Sequence, residues 1–200
     1  MIVITNPVSL KKEADTINAL FANGLDILHI RKPDSLPDEI RYLIENINDE
    51  YHPKLALHQH HEMASDYYIN RLHFNEKAQQ GFNDGCKLLA NKQWIFSTSV
   101  HSVESFNELN HAFNYAFLSP VYDSISKPGY RAGFENKDTL KGRNNFAAKL
   151  IGLGGINSAN CIKTIDVGFD SVAFLGAIWQ SENPMSEFKK CLEAINNYVQ

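Results

Sequence analysis

Short apolar runs alternate with segments of helical periodicity along the whole chain. Ile2–Thr5 is the first run, and Leu10, Ala14, Ile17, Leu20 and Phe21 then form a helical stripe that ends before Gly24, a natural C-terminal cap. Ile27–Ile30 is the second run, followed by a helix over 35–47 with Pro37 in its first turn, where a missing N–H costs nothing. Leu55–Leu57, Leu72–Phe74, Ile95–Val100, Tyr115–Leu118, Leu150–Leu153 and Ser171–Leu175 complete a predicted set of eight strands. Helices are expected over 62–68 (short), over 103–113 with Ser102 as N-cap, over 157–167 and over 185–199. The stretch from Glu76 to Gln93 has little pattern and reads as a loop with one short helix. A long polar loop runs from Pro120 to about Phe134.

Strand–helix alternation of this kind implies a parallel sheet, and eight repeats favour closure. The expected fold class is therefore α/β, a single (β/α)8 TIM barrel spanning residues 1–200 as one domain. In such a barrel the chemistry gathers in the loops after the strands. Arg31 and Lys32 follow the second strand, and His58, Gln59, His60 and His61 follow the third. His73 and Asn75 close the fourth, and Ser97, Ser99 and His101 the fifth. Ser124, Ser126 and Lys127 lie in the loop after the sixth, Gly154-Gly155 follows the seventh, and Gly176 the eighth. Glycine turns after the last two strands suit a phosphate held by backbone N–H groups, although glycines also serve simply to make tight turns. Arg31 and Lys127 are candidate counter-charges for a phosphate or pyrophosphate. His58 and His60, spaced by two, are expected on one strand face with His61 following, but three or four converging ligands are needed before they read as a metal site.

Net charge narrows the partners. The balance of −4 at pH 7 gives no basic face of the kind that nucleic-acid binding requires. No apolar run reaches the length of a membrane span, and the start of the chain enters a strand directly rather than a signal peptide, so a cytoplasmic protein is expected. Cys86, Cys161 and Cys191 are three and widely spaced, which speaks for buried free thiols rather than disulfides or structural zinc.

An ordered set of segments resembles the thiamine phosphate synthase and TenI-like family. The set is Leu28-His29-Ile30-Arg31, Arg71-Leu72-His73-Phe74, Ser97-Thr98-Ser99-Val100-His101-Ser102, the stretch from Leu118 to Lys127, Ile151-Gly152-Leu153-Gly154-Gly155-Ile156, and Val172 to Ile178. The resemblance implies a synthase of thiamine biosynthesis that joins hydroxymethylpyrimidine pyrophosphate to thiazole phosphate and releases pyrophosphate. It assigns Arg31, Ser99 and Lys127 to the pyrophosphate and puts His29, in place of a family glutamine, and His73 near the pyrimidine. Ser124 and Ser126 stand where the family has threonines, and Gly155, Leu175 and Gly176 fall where backbone N–H groups hold the thiazole phosphate. It also implies a homodimer, a phosphorylated small-molecule substrate and Mg²⁺. The family's two metal-binding aspartates, however, read Gln59 and Ala78 here, with Glu76 the nearest substitute, and the second lysine of the family's Arg-Glu-Lys motif has only Lys32 as a partial stand-in. The TenI-like thiazole tautomerase, which needs no Mg²⁺, uses a histidine where this chain has Pro120. Three readings therefore stand side by side: the synthase, a thiazole-phosphate isomerase with His73 or His101 as acid/base, and a non-catalytic binder that keeps the phosphate pocket.

Overall fold

The computed structural model describes residues 1–76, 94–123 and 140–199. Eight parallel strands pair in chain order, and β1 (Ile2–Ile4) pairs with β8 (Ser171–Phe174) to close the ring. Between them lie β2 (Ile27–Ile30), β3 (Leu55–Leu57), β4 (Arg71–Phe74), β5 (Ile95–Val100), β6 (Phe113–Leu118) and β7 (Lys149–Gly152). The expected TIM barrel is the observed fold.

Alternation along each strand divides the side chains into two sets. Val3, Leu28, Ile30, Leu55, Leu57, Leu72, Val100, Leu118, Leu150, Val172 and Phe174 face outward and pack against the helices in one continuous core. Ile2, Ile4, Tyr115, Phe117, Ile151 and Ala173 face inward and fill the shaft. His29, His73 and Ser97 share the inward register and are buried with them.

The outer helices are α1 (Glu13–Ala22), α2 (Pro37–Glu45), α3 (Val103–Asn107), α4 (Cys161–Val167), α5 (Gly176–Trp179) and α6 (Pro184–Val199). Pro37 occupies the first turn of α2, and the Ser102 hydroxyl caps α3 by accepting from the Ser105 N–H at 3.1 Å. Several boundaries move from their predicted positions. The helix expected to reach residue 113 ends at Asn107, because Phe113 is drawn into β6, where it pairs with Phe96. The helix expected from residue 157 begins at Cys161, after Asn157 and Asn160 have used their side chains in the preceding turn. The short helix after β3 is a single 3₁₀ turn, His61–Ser65. The one-turn helix α5 lies within the run that the sequence leaves without an element, and Trp179 fixes it by donating its indole N–H to the Ile4 carbonyl at 2.7 Å. Cys161 and Cys191 are buried free thiols, as expected. Cys86 and the weakly patterned stretch over 77–93 lie outside the described residues. Among the described residues no helix is long and apolar enough to cross a membrane.

One ion pair ties the first two βα loops together. Lys32 is 1% exposed and its ammonium meets both Glu13 carboxylate oxygens at 2.6 and 2.7 Å. It also donates to the Asn6 carbonyl at 2.7 Å and the Val8 carbonyl at 3.1 Å, so its donors are met by the chain itself. Removing one partner strands the other charge in the interior. Lys32→Met is expected to lower unfolding free energy by about 3–5 kcal/mol, read as a shift in the urea midpoint. A loss under 1 kcal/mol would show that water reaches Glu13.

Candidate active site

Lys32 is therefore no substitute for a family lysine at the substrate, since its charge is spent on Glu13. Its neighbour Arg31 takes the opposite role. The Arg31 N–H donates to the Thr5 hydroxyl at 2.9 Å, and the Thr5 hydroxyl donates to the Arg31 carbonyl at 3.2 Å. This holds the backbone at the end of β2 and leaves the half-buried guanidinium at the barrel mouth. Among the described residues no carboxylate pairs with it. Its positive charge bears on both His58 and His73.

Below Arg31 three imidazoles converge from adjacent strands: His29 on β2, His58 just past β3, and His73 on β4. His29 Nδ1 lies 3.0 Å from His58 Nε2, and His29 Nε2 lies 2.8 Å from the Tyr115 hydroxyl on β6. His73 Nδ1 lies 3.0 Å from Ser97 Oγ and His73 Nε2 lies 3.1 Å from Ser99 Oγ, both serines on β5. The His58 and His73 rings stack with centroids 3.9 Å apart, while Phe117 packs edge to face with His29 and at a tilt against His73. His29 and His73 are buried, whereas His58 and Ser99 are partly exposed towards the mouth.

Burial is the largest influence on all three rings, and neighbouring arginines and imidazoles also disfavour protonation of each. Burial, then His61 and Arg31, push His73 down to about 3. Burial, then His73 and Arg71, hold His29 well below the usual histidine range. Burial, then His73, His29 and Arg31, do the same to His58. Neutral imidazoles can pass protons or offer lone pairs, but they supply no positive charge to an anion. Burial also pushes the Tyr115 phenol up to about 12, so it stays protonated.

The other histidines do different work. His60 does not share a face with His58: β3 stops at Leu57, the chain leaves the sheet, and His60 adopts a left-handed conformation with φ 54°. His61 donates from Nε2 to the carbonyls of Leu57 and His73, tying β3 to β4. His101 donates from Nδ1 to the Ser119 carbonyl at 2.9 Å, a backbone role that takes up that ring nitrogen.

Gly154 and Gly155 make the turn after β7 with φ 98° and 66°. A Cβ on Gly155 would stand 2.7 Å from Tyr122 Cβ and 2.9 Å from the Tyr122 and Asp123 carbonyl oxygens, so the loop after β6 rests on this turn. The Val121 and Tyr122 N–H groups donate to the carbonyls of Leu153 and Gly154, fastening the root of that loop. Leu175 and Gly176 lie at the start of α5, partly exposed at the same end of the barrel. Ser124, Ser126, Lys127 and Ala78 lie outside the described residues.

Mg²⁺ prefers hard oxygen ligands. The Gln59 side-chain amide donates to the Lys32 carbonyl, Glu13 is engaged by Lys32, and Glu76 is exposed beyond the end of β4. Among the described residues, the trio of potential ligands that converges is three nitrogens and no carboxylate. These residues do not fit Mg²⁺.

Comparison with known proteins agrees with this architecture. A family model described as thiamine monophosphate synthase matches residues 1–178. This chain belongs to the thiamine monophosphate synthase family. It is 29% identical over 104 residues to the thiamine-phosphate synthase of Bacillus velezensis, an alignment covering 50% of this chain and 46% of that protein. The chain thus spans about half the length of the first curated relatives it matches, with 44% of the corresponding Listeria monocytogenes protein covered. The alignment with the Koribacter versatilis thiamine-phosphate synthase is longer, 25% identical and covering 78% of this chain and 74% of that one. The crystal structure of thiamine phosphate pyrophosphorylase from Bacteroides thetaiotaomicron superposes with a TM-score of 0.79 at 28% identity, covering 98% of this chain and 97% of that one.

The site has a consequence for stability. An unfolded histidine titrates near 6.5, and folded His73 only near 3. Between those values the unfolded chain binds the extra proton, so stability is full above about pH 6.5 and falls as the pH drops towards 3. One imidazole contributes a slope of about 1.4 kcal/mol per pH unit in this window. Urea midpoints measured with EDTA at pH 7.5 and 5 are expected to fall in the native chain and to fall less in His73→Gln. Identical pH dependence in the two proteins would show that His73 protonates as readily folded as unfolded.

Proposed function

We propose that this family member is a thiamine phosphate synthase, coupling hydroxymethylpyrimidine pyrophosphate to thiazole phosphate with release of pyrophosphate. The observation that supports it most is Arg31, a cation at the barrel mouth with no carboxylate partner among the described residues, while the adjacent Lys32 is consumed by an ion pair. When the bond from the pyrimidine methylene to the pyrophosphate oxygen breaks, its electron pair stays on the leaving oxygen. A fixed guanidinium placed there stabilises the growing charge. The thiazole nitrogen then supplies the electron pair for the new carbon–nitrogen bond. In this reading Lys127, Ser124 and Ser126 join Arg31 and Ser99 on the pyrophosphate, and the turns at Gly155, Leu175 and Gly176 receive the thiazole phosphate. His73 and His29 form the floor beneath the pyrimidine. The reading includes a single domain over residues 1–200 and a cytoplasmic homodimer.

A second reading rests on the hydrogen-bonded series Tyr115–His29–His58, whose neutral rings suit proton transfer. It is a thiazole-phosphate tautomerase, with phosphate binding retained and no pyrophosphate involved.

The deciding measurement is formation of thiamine phosphate from the two substrates, with and without Mg²⁺. The native chain is expected to turn over, and Arg31→Ala to lose about 10²–10³-fold in kcat, the usual consequence of removing one stabilising donor. Absence of product while thiazole phosphate still binds would overturn the synthase. Metal-independent isomerisation of a thiazole carboxylate phosphate would then establish the tautomerase.

A further inference from the structure

We propose that His29, His58 and His73 form a three-imidazole site for a divalent transition metal of the zinc class, open towards the barrel mouth. This goes beyond the synthase reading and does not depend on it.

One nitrogen from each ring lies within 4.8 Å of the other two. The separation of His29 Nδ1 and His58 Nε2 is 3.0 Å. Two imidazole nitrogens on a tetrahedral zinc stand about 3.3 Å apart, given Zn–N bonds of about 2.05 Å. The spacing of this pair therefore already matches two ligands on one ion, while the rings must turn to bring their lone pairs off the N–N line and onto it.

Outer partners select the ligand atoms. If the Tyr115 oxygen accepts from His29 Nε2–H, Nδ1 keeps its lone pair for the metal. If the buried Ser97 oxygen accepts from His73 Nδ1–H, Nε2 is left as the ligand, on the side of the partly exposed Ser99. His58 is the adjustable member. It stacks on His73, and two stacked rings cannot aim their lone pairs at one ion, so binding must swing one ring out. Among the described residues the His58 ring bonds only to His29, and it is partly exposed, whereas His29 and His73 are buried and each ring is bonded through both nitrogens.

The donor chemistry chooses the ion. Three imidazoles without a carboxylate favour Zn²⁺, Co²⁺, Ni²⁺ or Cu²⁺ over Mg²⁺. Three protein ligands leave a fourth position for water or for an anion arriving beside Arg31.

The test is spectroscopic and independent of turnover. Protein carrying no polyhistidine tag is stripped with EDTA, dialysed and titrated with Co²⁺, then with Zn²⁺. The expected result is one equivalent of Co²⁺ with the intense visible bands of a low-coordinate nitrogen site, bleached by stoichiometric Zn²⁺ and indifferent to millimolar Mg²⁺. His58→Asn, at the mouth and least costly to folding, should weaken binding at least 10-fold. Tyr115→Phe should weaken it about 10-fold through loss of the outer hydrogen bond. Histidine nitrogen NMR of the native chain gives a second readout, with the His29, His58 and His73 resonances shifting together at one equivalent of Zn²⁺. Absence of Co²⁺ bands in the native chain, Zn²⁺ that leaves these three resonances unmoved, or undiminished affinity in His58→Asn would each overturn the proposal.

Discussion

Closure of eight parallel strands makes the inside of the barrel a narrow, water-poor shaft, and any polar side chain aimed into it must find its partner there. Part of it obeys this by being apolar, with Ile2, Ile4, Ile151 and Ala173 in one buried cluster. The other inward positions include His29, His73, Ser97 and Tyr115, and they satisfy one another. The site is thus the polar continuation of the barrel core. Its rigidity comes from the strands rather than from the loops, which suits side chains that must hold a fixed geometry.

The two basic residues after β2 show how the same constraint separates structure from chemistry. Lys32 turns away from the shaft, between the first two βα loops, and its ammonium is held by a carboxylate and two carbonyls. Arg31 keeps its backbone on Thr5 and its guanidinium at the mouth. A cation surrounded by neutral imidazoles rather than carboxylates keeps its charge for an incoming anion. That arrangement agrees with a family that handles phosphorylated substrates. The glycine turn after β7 has a structural duty as well: Gly154 and Gly155 give way to Pro120 and Tyr122, so the turn holds the root of the loop after β6. The two readings of those glycines, tight turn and phosphate cradle, are compatible in one segment.

The sequence alone determined the eight strands and most of the helices, because strand and helix periodicities are local consequences of backbone geometry. Ile95–Val100 is a strand from end to end as predicted, Pro37 and Ser102 mark helix starts, and the closing helix follows its apolar stripe. The resemblance to the family was also legible, carried by short segments spread over most of the chain. The tertiary structure alone decided which inward side chains meet. His29 and His73 stand on β2 and β4 and His58 just past the end of β3, and only strand order and register make them neighbours. The sequence instead groups His58 with His60 and His61, which the end of β3 at Leu57 sends in other directions. The same holds for Lys32, whose partner Glu13 lies on another loop's helix and whose charge no local pattern could assign to structure rather than substrate. Periodicity records the side of an element that leaves water; it carries no record of which partner waits on that side.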